Sequence, residues 1–157
     1  MSEVASGANR LSGASTTHFE GSQTLQQTPS FLILSMDTTD KIAFNTAMRD
    51  RTKAAALRII RLYQQLPRSG EAEVIGRQLL RSATSVAANY RAACRGRSAA
   101  EWYAKLSTCV EEADETQLWL ELLGDAAIVP KTKLASLEQE YLEILSILAT
   151  ARKSSGR

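Results

Sequence analysis

A single histidine, His18, is all the imidazole this chain contains, and it sits in a polar N-terminal stretch. A hydrolase triad or a proton-shuttling imidazole in a folded core is thereby excluded. Cysteine is nearly as scarce. Cys94 and Cys109 lie inside apolar helical patterns, with no second pair and no histidine at metal-ligand spacing. Neither a disulfide framework nor a zinc site is indicated, and buried free thiols in a reducing cytoplasm are expected. Long apolar runs are missing too. The longest near the N-terminus, Phe31 to Leu34, falls far short of the roughly 20 residues of a membrane span and lacks the basic flank of a signal peptide. The sequence predicts a soluble, cytoplasmic protein with no membrane partner.

What is present is enough for one domain: 157 residues, 44% of them apolar. The first 45 residues are rich in Ser, Thr, Gly and Gln and keep neither a two- nor a 3.6-residue period. They are predicted to be a disordered tail, in which Phe31–Leu34 is the one segment able to dock on a groove. Met36, just before the patterned region, is an alternative start of the native chain; its intact mass decides.

From 46 to 153 the pattern is helical, followed by a disordered end over 154–157. Met48, Ala55, Ile59, Leu62, Tyr63 and Leu66 recur at three- and four-residue steps up to Pro67, and Ser69-Gly70 makes a turn. A second helix is predicted from about Glu71 to Arg95, with Ile75, Leu79, Ala83, Val86, Ala87, Tyr90 and Cys94 on one side and Gly96 as its stop. Ser98 and Glu101 form a capping box for a third. Trp102, Leu106, Cys109, Val110, Ala113, Gln117, Leu120 and Leu123 carry this helix to Gly124, read as its C-terminal stop. Pro130 precedes a fourth, with Leu134, Leu137, Tyr141, Ile144, Leu145 and Leu148 at near-heptad spacing. Four such helices on short links can be neighbours only by running up and down, so an all-α, antiparallel up-and-down four-helix bundle is expected.

The net charge of +2 hides a strong polarity. Residues 49–68 hold six basic and one acidic residue, 71–97 hold five and two, and 98–124 hold one and six. Arg77, Arg81, Arg91 and Arg95 fall on one side of the second helix, opposite its apolar stripe, and Arg97 follows at the corner. This basic ridge has three readings: a solvated face, a charged protein interface, or a contact with RNA or DNA phosphates. Arginine rather than lysine throughout suits a bidentate carboxylate or phosphate.

The third helix offers carboxylates at Glu111, Glu112, Asp114 and Glu115, and more apolar surface than one core can absorb. Leu118, Trp119 and Leu122 lie off the stripe set by Trp102, Leu106, Ala113 and Leu120. A helix apolar on nearly all sides needs a second burial partner. Glu111, Glu115, Leu118, Trp119 and Leu122 are therefore the expected oligomer interface, meeting the basic surface of another copy in a heterologous contact that can close into a ring. The same acidic run resembles the Glu-Glu-x-x-Glu pattern of all-helical nucleotide pyrophosphohydrolases, where carboxylates hold Mg²⁺. The partner carboxylates at Glu-x-x-Asp spacing are missing, because Glu121 is followed by Leu122-Leu123-Gly124. No catalytic, metal or cofactor residue is assigned, and no enzyme is expected.

The run Ile75 to Ala93, with Ser85 and Asn89 inside it, then Arg97-Ser98, Glu101-Trp102, Glu111 to Thr116 and Trp119-Leu120, resembles bacterial four-helix-bundle proteins. Some members of that family are encoded in intervening sequences of 23S rRNA genes. The likeness spans roughly residues 46–152. It implies a cytoplasmic protein without established catalysis that assembles as a ring, typically a pentamer. It further implies kinship with basic accessory proteins of diversity-generating retroelements, which bind a reverse transcriptase and nucleic acid. This chain departs from those accessories in its low net charge and its acidic third helix. From the residues alone, Ser85 and Asn89 sit one turn apart at the border of core and ridge, where small and amide side chains let helices approach and hydrogen-bond.

Overall fold

A computed structural model describes residues 37–155. The expectations for His18, Phe31–Leu34, the first 36 residues and the last two lie outside the described residues. Four helices follow one another: α1 (Thr38–Gln64), α2 (Gly70–Ala93), α3 (Ala99–Asp125) and α4 (Lys131–Ser155). Each link is five residues long, 65–69, 94–98 and 126–130, so successive helices reverse and lie side by side. α1 packs on α2, α2 on α3, α3 on α4, and a lighter α1–α4 seam closes the bundle. The all-α up-and-down bundle is the observed architecture, and the described residues contain no strand.

The predicted stripes meet in one core. Ile59, Leu79, Leu106, Leu120, Leu123, Leu134, Ile144 and Leu148 are fully buried, with Tyr90 and Tyr141 as its largest members. Burying each such side chain stabilises the fold by roughly 1.5–3 kcal/mol. Trp102 meets Tyr90 edge to face at a centroid distance of 6.2 Å and donates its ring N–H to Ser155 Oγ at 3.0 Å. The Tyr90 hydroxyl donates to Asn45 Oδ1 at 3.2 Å. One aromatic pair thus joins all four helices at the end where α2 turns into α3.

Three boundaries differ from the sequence expectation. α1 starts at Thr38, inside the stretch read as tail, because Asp37 caps it by accepting from the Asp40 N–H at 2.8 Å. The added turns are anchored by half-buried Phe44 and Asn45, too few apolar residues to show a period. α4 runs through Ser154, which is buried, to Ser155, rather than ending at 153. Gly124 is not a stop. It is buried within α3, and a Cβ there would lie 3.2 Å from Lys131 Cγ and 3.4 Å from Leu134 Cδ1. The left-handed residue of that link is Ala127, at φ 55°, with the Ile128 and Val129 N–H groups both donating to the Leu123 carbonyl. A non-glycine residue in this conformation costs roughly 1–2 kcal/mol, which the returning helix offsets.

Candidate functional site

The α2 arginines do not form one continuous free ridge. Arg77 pairs with Glu73 one turn earlier, 3.0 Å away. Arg81 reaches across to α3, with Nη2 at 2.5 Å from Glu115 and Nη1 at 3.5 Å from Glu112, while its Nε donates to Gln78. Glu115, expected at an oligomer interface, thus makes an ion pair with Arg81 within one protomer. The reason is geometric, since the two residues flank the same α2–α3 seam.

Arg91, Arg95 and Arg97 are different. All three are exposed, and none has an ion pair among the described residues. They gather at the α2–α3 corner, whose backbone is fixed by the predicted cap. Ser98 Oγ accepts from the Glu101 N–H at 3.1 Å, and Glu101 Oε2 accepts from the Arg97 N–H at 3.0 Å. The return bond thus goes to the residue before the cap rather than to the cap itself, holding Arg97 against α3. Just above, Asn89 Nδ2 donates to the Ser85 carbonyl and hydroxyl at 3.0 and 3.1 Å, and Lys105 Nζ lies 3.5 Å from Asn89 Oδ1. Ser85 and Asn89 therefore act as half-buried spacers between α2 and α3, as their border position predicts.

The apolar surplus of α3 divides as well. Leu118 and Leu122, one turn apart, are 48% and 36% exposed. Trp119 is half-buried against the core rather than turned outward. It follows Glu112 by two turns and so shares its side of the helix, toward α2. Its ring N–H is buried with no acceptor among the described residues, as is Glu112 Oε2 without a donor. Glu111 is exposed beside the leucine pair. The carboxylate run is thus divided between Arg81, which holds Glu112 and Glu115, and solvent, which receives Glu111 and Asp114. Among the described residues no three Asp, Glu, His or Cys side chains converge as metal ligands.

Both cysteines are free thiols. Burial pushes the Cys109 thiol up to about 12 and raises that of half-buried Cys94, so both are held protonated. Burial likewise raises the phenols of Tyr90 and Tyr141. None of these groups is poised for proton transfer near neutral pH.

Two features escaped the sequence reading. One is the polar stitching of α1 to α4, where Arg51 holds Glu140 at 2.7 Å and Glu143 at 2.5 Å and Arg58 donates to Ser136. The other is a groove of about 530 Å³ between α3 and α4, lined by Asp114, Gln117, Glu121, Glu138, Leu142 and Leu145 among others. Leu142, 55% exposed, lies about 100° off the buried Tyr141 on the α4 wheel, a signal the sequence did carry. No described helix is long and apolar enough to cross a membrane.

No curated protein matches the chain. Among solved structures, a protein of unknown function from the S23 ribosomal protein family of Bacteroides thetaiotaomicron is similar, with 33% identity and a TM-score of 0.65, over 69% of this chain and 97% of that one. The family model described as 23S rRNA-intervening sequence protein matches residues 45–150, from the first third of α1 to the last turns of α4. By that match and by its four-helix architecture, the chain belongs to the 23S rRNA-intervening sequence protein family.

Proposed function

We propose that this protein is a non-enzymatic, cytoplasmic scaffold that self-associates into a ring, a homopentamer by family likeness, and presents its surfaces to a protein partner. The observation that carries the reading is the exposed Leu118–Leu122 pair on α3, an apolar strip that a finished monomer gains nothing by displaying. Exposed Glu111 borders it, and the unpaired arginines at the α2–α3 corner supply a complementary charge on a different surface. Two different surfaces of one chain make a heterologous contact, the kind that closes rings.

The test is the mass by light scattering of a Leu118→Glu/Leu122→Glu variant. Both side chains are exposed, so helicity and Tm should persist while the mass falls toward the 17.2 kDa protomer. A mass equal to that of the wild-type protein would sink this interface.

A second reading has its own observation. Arg91, Arg95 and Arg97 offer three planar, unpaired guanidinium groups at one corner, a geometry suited to RNA or DNA phosphates. It requires retention of RNA at low ionic strength that weakens steeply with added salt and is lost when the three become glutamine. Indifference to that triple change would remove it.

A further inference from the structure

The groove between α3 and α4 is unlike the rest of the surface. Its walls carry Asp114 and Glu121 from α3 and Glu138 from α4, none with an ion pair among the described residues. The one cation on its rim, Lys131, is ion-paired with Asp125 at 2.6 Å, and that carboxylate, with a smaller contribution from Glu138 at longer range, raises the lysine's pKa. Leu142 projects into this acidic frame, with Leu145 half-buried beneath it. Gln117, on the floor, has its amide committed to the Glu138 carbonyl at 2.7 Å. The groove thus shows an exposed leucine between carboxylates that make no ion pair among the described residues, in a protein whose other carboxylates are mostly paired or solvated singly.

We infer that the α3–α4 groove is the docking site for a cationic amphipathic helix of a partner protein, which seats an apolar side chain on Leu142 and sets Lys or Arg against Asp114, Glu121 and Glu138. The inference rests on the partner-binding part of the function proposed above and names the partner's chemistry. The carboxylates do not converge on one point, as no three described side chains form a metal-ligand set. Charge spread along a groove matches charge spread along a helix. A polyanion is repelled by the same walls. The chain's own Phe31–Leu34 segment carries no charge and would leave all three carboxylates unmatched.

The probe is a synthetic helix of about 15 residues with leucines at i, i+4 and i+7 and lysines flanking that stripe. A peptide of identical composition with the stripe scrambled is the control. Titration into the full-length protein, followed by amide NMR, should shift residues 114–125 and 131–145. Leu142→Lys and Glu121→Lys should each weaken binding about tenfold or more, and the scrambled peptide should bind worse by a similar factor. Equal binding of patterned and scrambled peptides would reduce the effect to bulk charge and overturn the inference, as would wild-type affinity in Leu142→Lys. Two other occupants give their own signatures against it. A fall in light-scattering mass with Leu142→Lys would assign the groove to a second copy. Groove amides that move in Phe31→Asp without peptide would assign it to the chain's own tail. Because Leu142 lies outside the Leu118–Leu122 strip, loss of peptide binding at unchanged mass separates this inference from the ring reading.

Discussion

The α2–α3 seam and the α1–α4 seam close the same bundle with different shares of packing and charge. Between α2 and α3 the helices meet through small buried residues, Ala83, Cys109 and Ala113, under Leu79, Val86 and Leu106. The contact is completed by a buried hydroxyl pair, Ser82 Oγ and Thr116 Oγ1, 2.9 Å apart. Each also has a carbonyl of its own helix in reach, Leu79 at 3.3 Å and Glu112 at 2.8 Å. Cys109 completes the seam with its Sγ 3.7 Å from the Val86 carbonyl. Between α1 and α4 few residues approach, and the join relies on Arg51 with Glu140 and Glu143 at the surface. Helices linked by a short loop are delivered to each other and can pack closely. The first and last helices are brought together only by the closure of the whole, and long charged side chains span the wider gap. Both seams carry surface ion pairs, Arg81 with Glu112 and Glu115 on one and Arg51 with Glu140 and Glu143 on the other, so salt and pH should weigh more on the α1–α4 seam only because less packing stands behind its charges.

The largest expected effect lies in the packed seam. Leu106→Ala should cost about 2–5 kcal/mol in chemical denaturation, the usual result of emptying a fully buried leucine site, whereas Ile147→Ala, half-buried on α4, should cost about 1 kcal/mol. Equal losses would abolish the contrast. Next comes Thr116→Val, which keeps the shape but leaves Ser82 only its own helix's carbonyl. A loss of about 1 kcal/mol is expected, independent of salt.

The smallest effect is the most selective. Arg51→Met should lower Tm by no more than about 4 °C and reduce a pH dependence. The Gln139 amide and then Arg51 hold the Glu143 carboxyl below its ordinary value of 4.5. A depressed acid contributes stability above its unfolded pKa and loses it as the pH falls through the folded one. Wild-type Tm should therefore drop on acidification below about pH 4.5 more steeply than that of Arg51→Met. Parallel curves would show that the α1–α4 seam does not depend on these charges.

The sequence made the bundle legible because its core obeys one period. Leu79, Val86, Leu106, Leu120, Leu134, Ile144 and Leu148 repeat at helical spacing, and Pro67, Ser98 and Pro130 punctuate the links. It made the site only partly legible, because charge can be counted along a chain but paired only in space. Arg81 and Arg95 look alike on a helical wheel. One pairs with Glu115 and the other has no ion pair among the described residues. Trp119 looked surplus because its angle departs from the α3 stripe, yet that angle faces the neighbouring helix. Asp37 escaped notice as a cap because the turns it opens are mostly polar.

Gly124 is a seat. With no side chain of its own it lets the Lys131 stem lie across α3, and Lys131 is the residue tethered to Asp125 at the rim of the acidic groove. An added methyl would press on that stem first and on Leu134 next, so those side chains would have to give by a few tenths of an ångström. The tether at the rim of the groove is thus seated on a residue that does not itself line the groove.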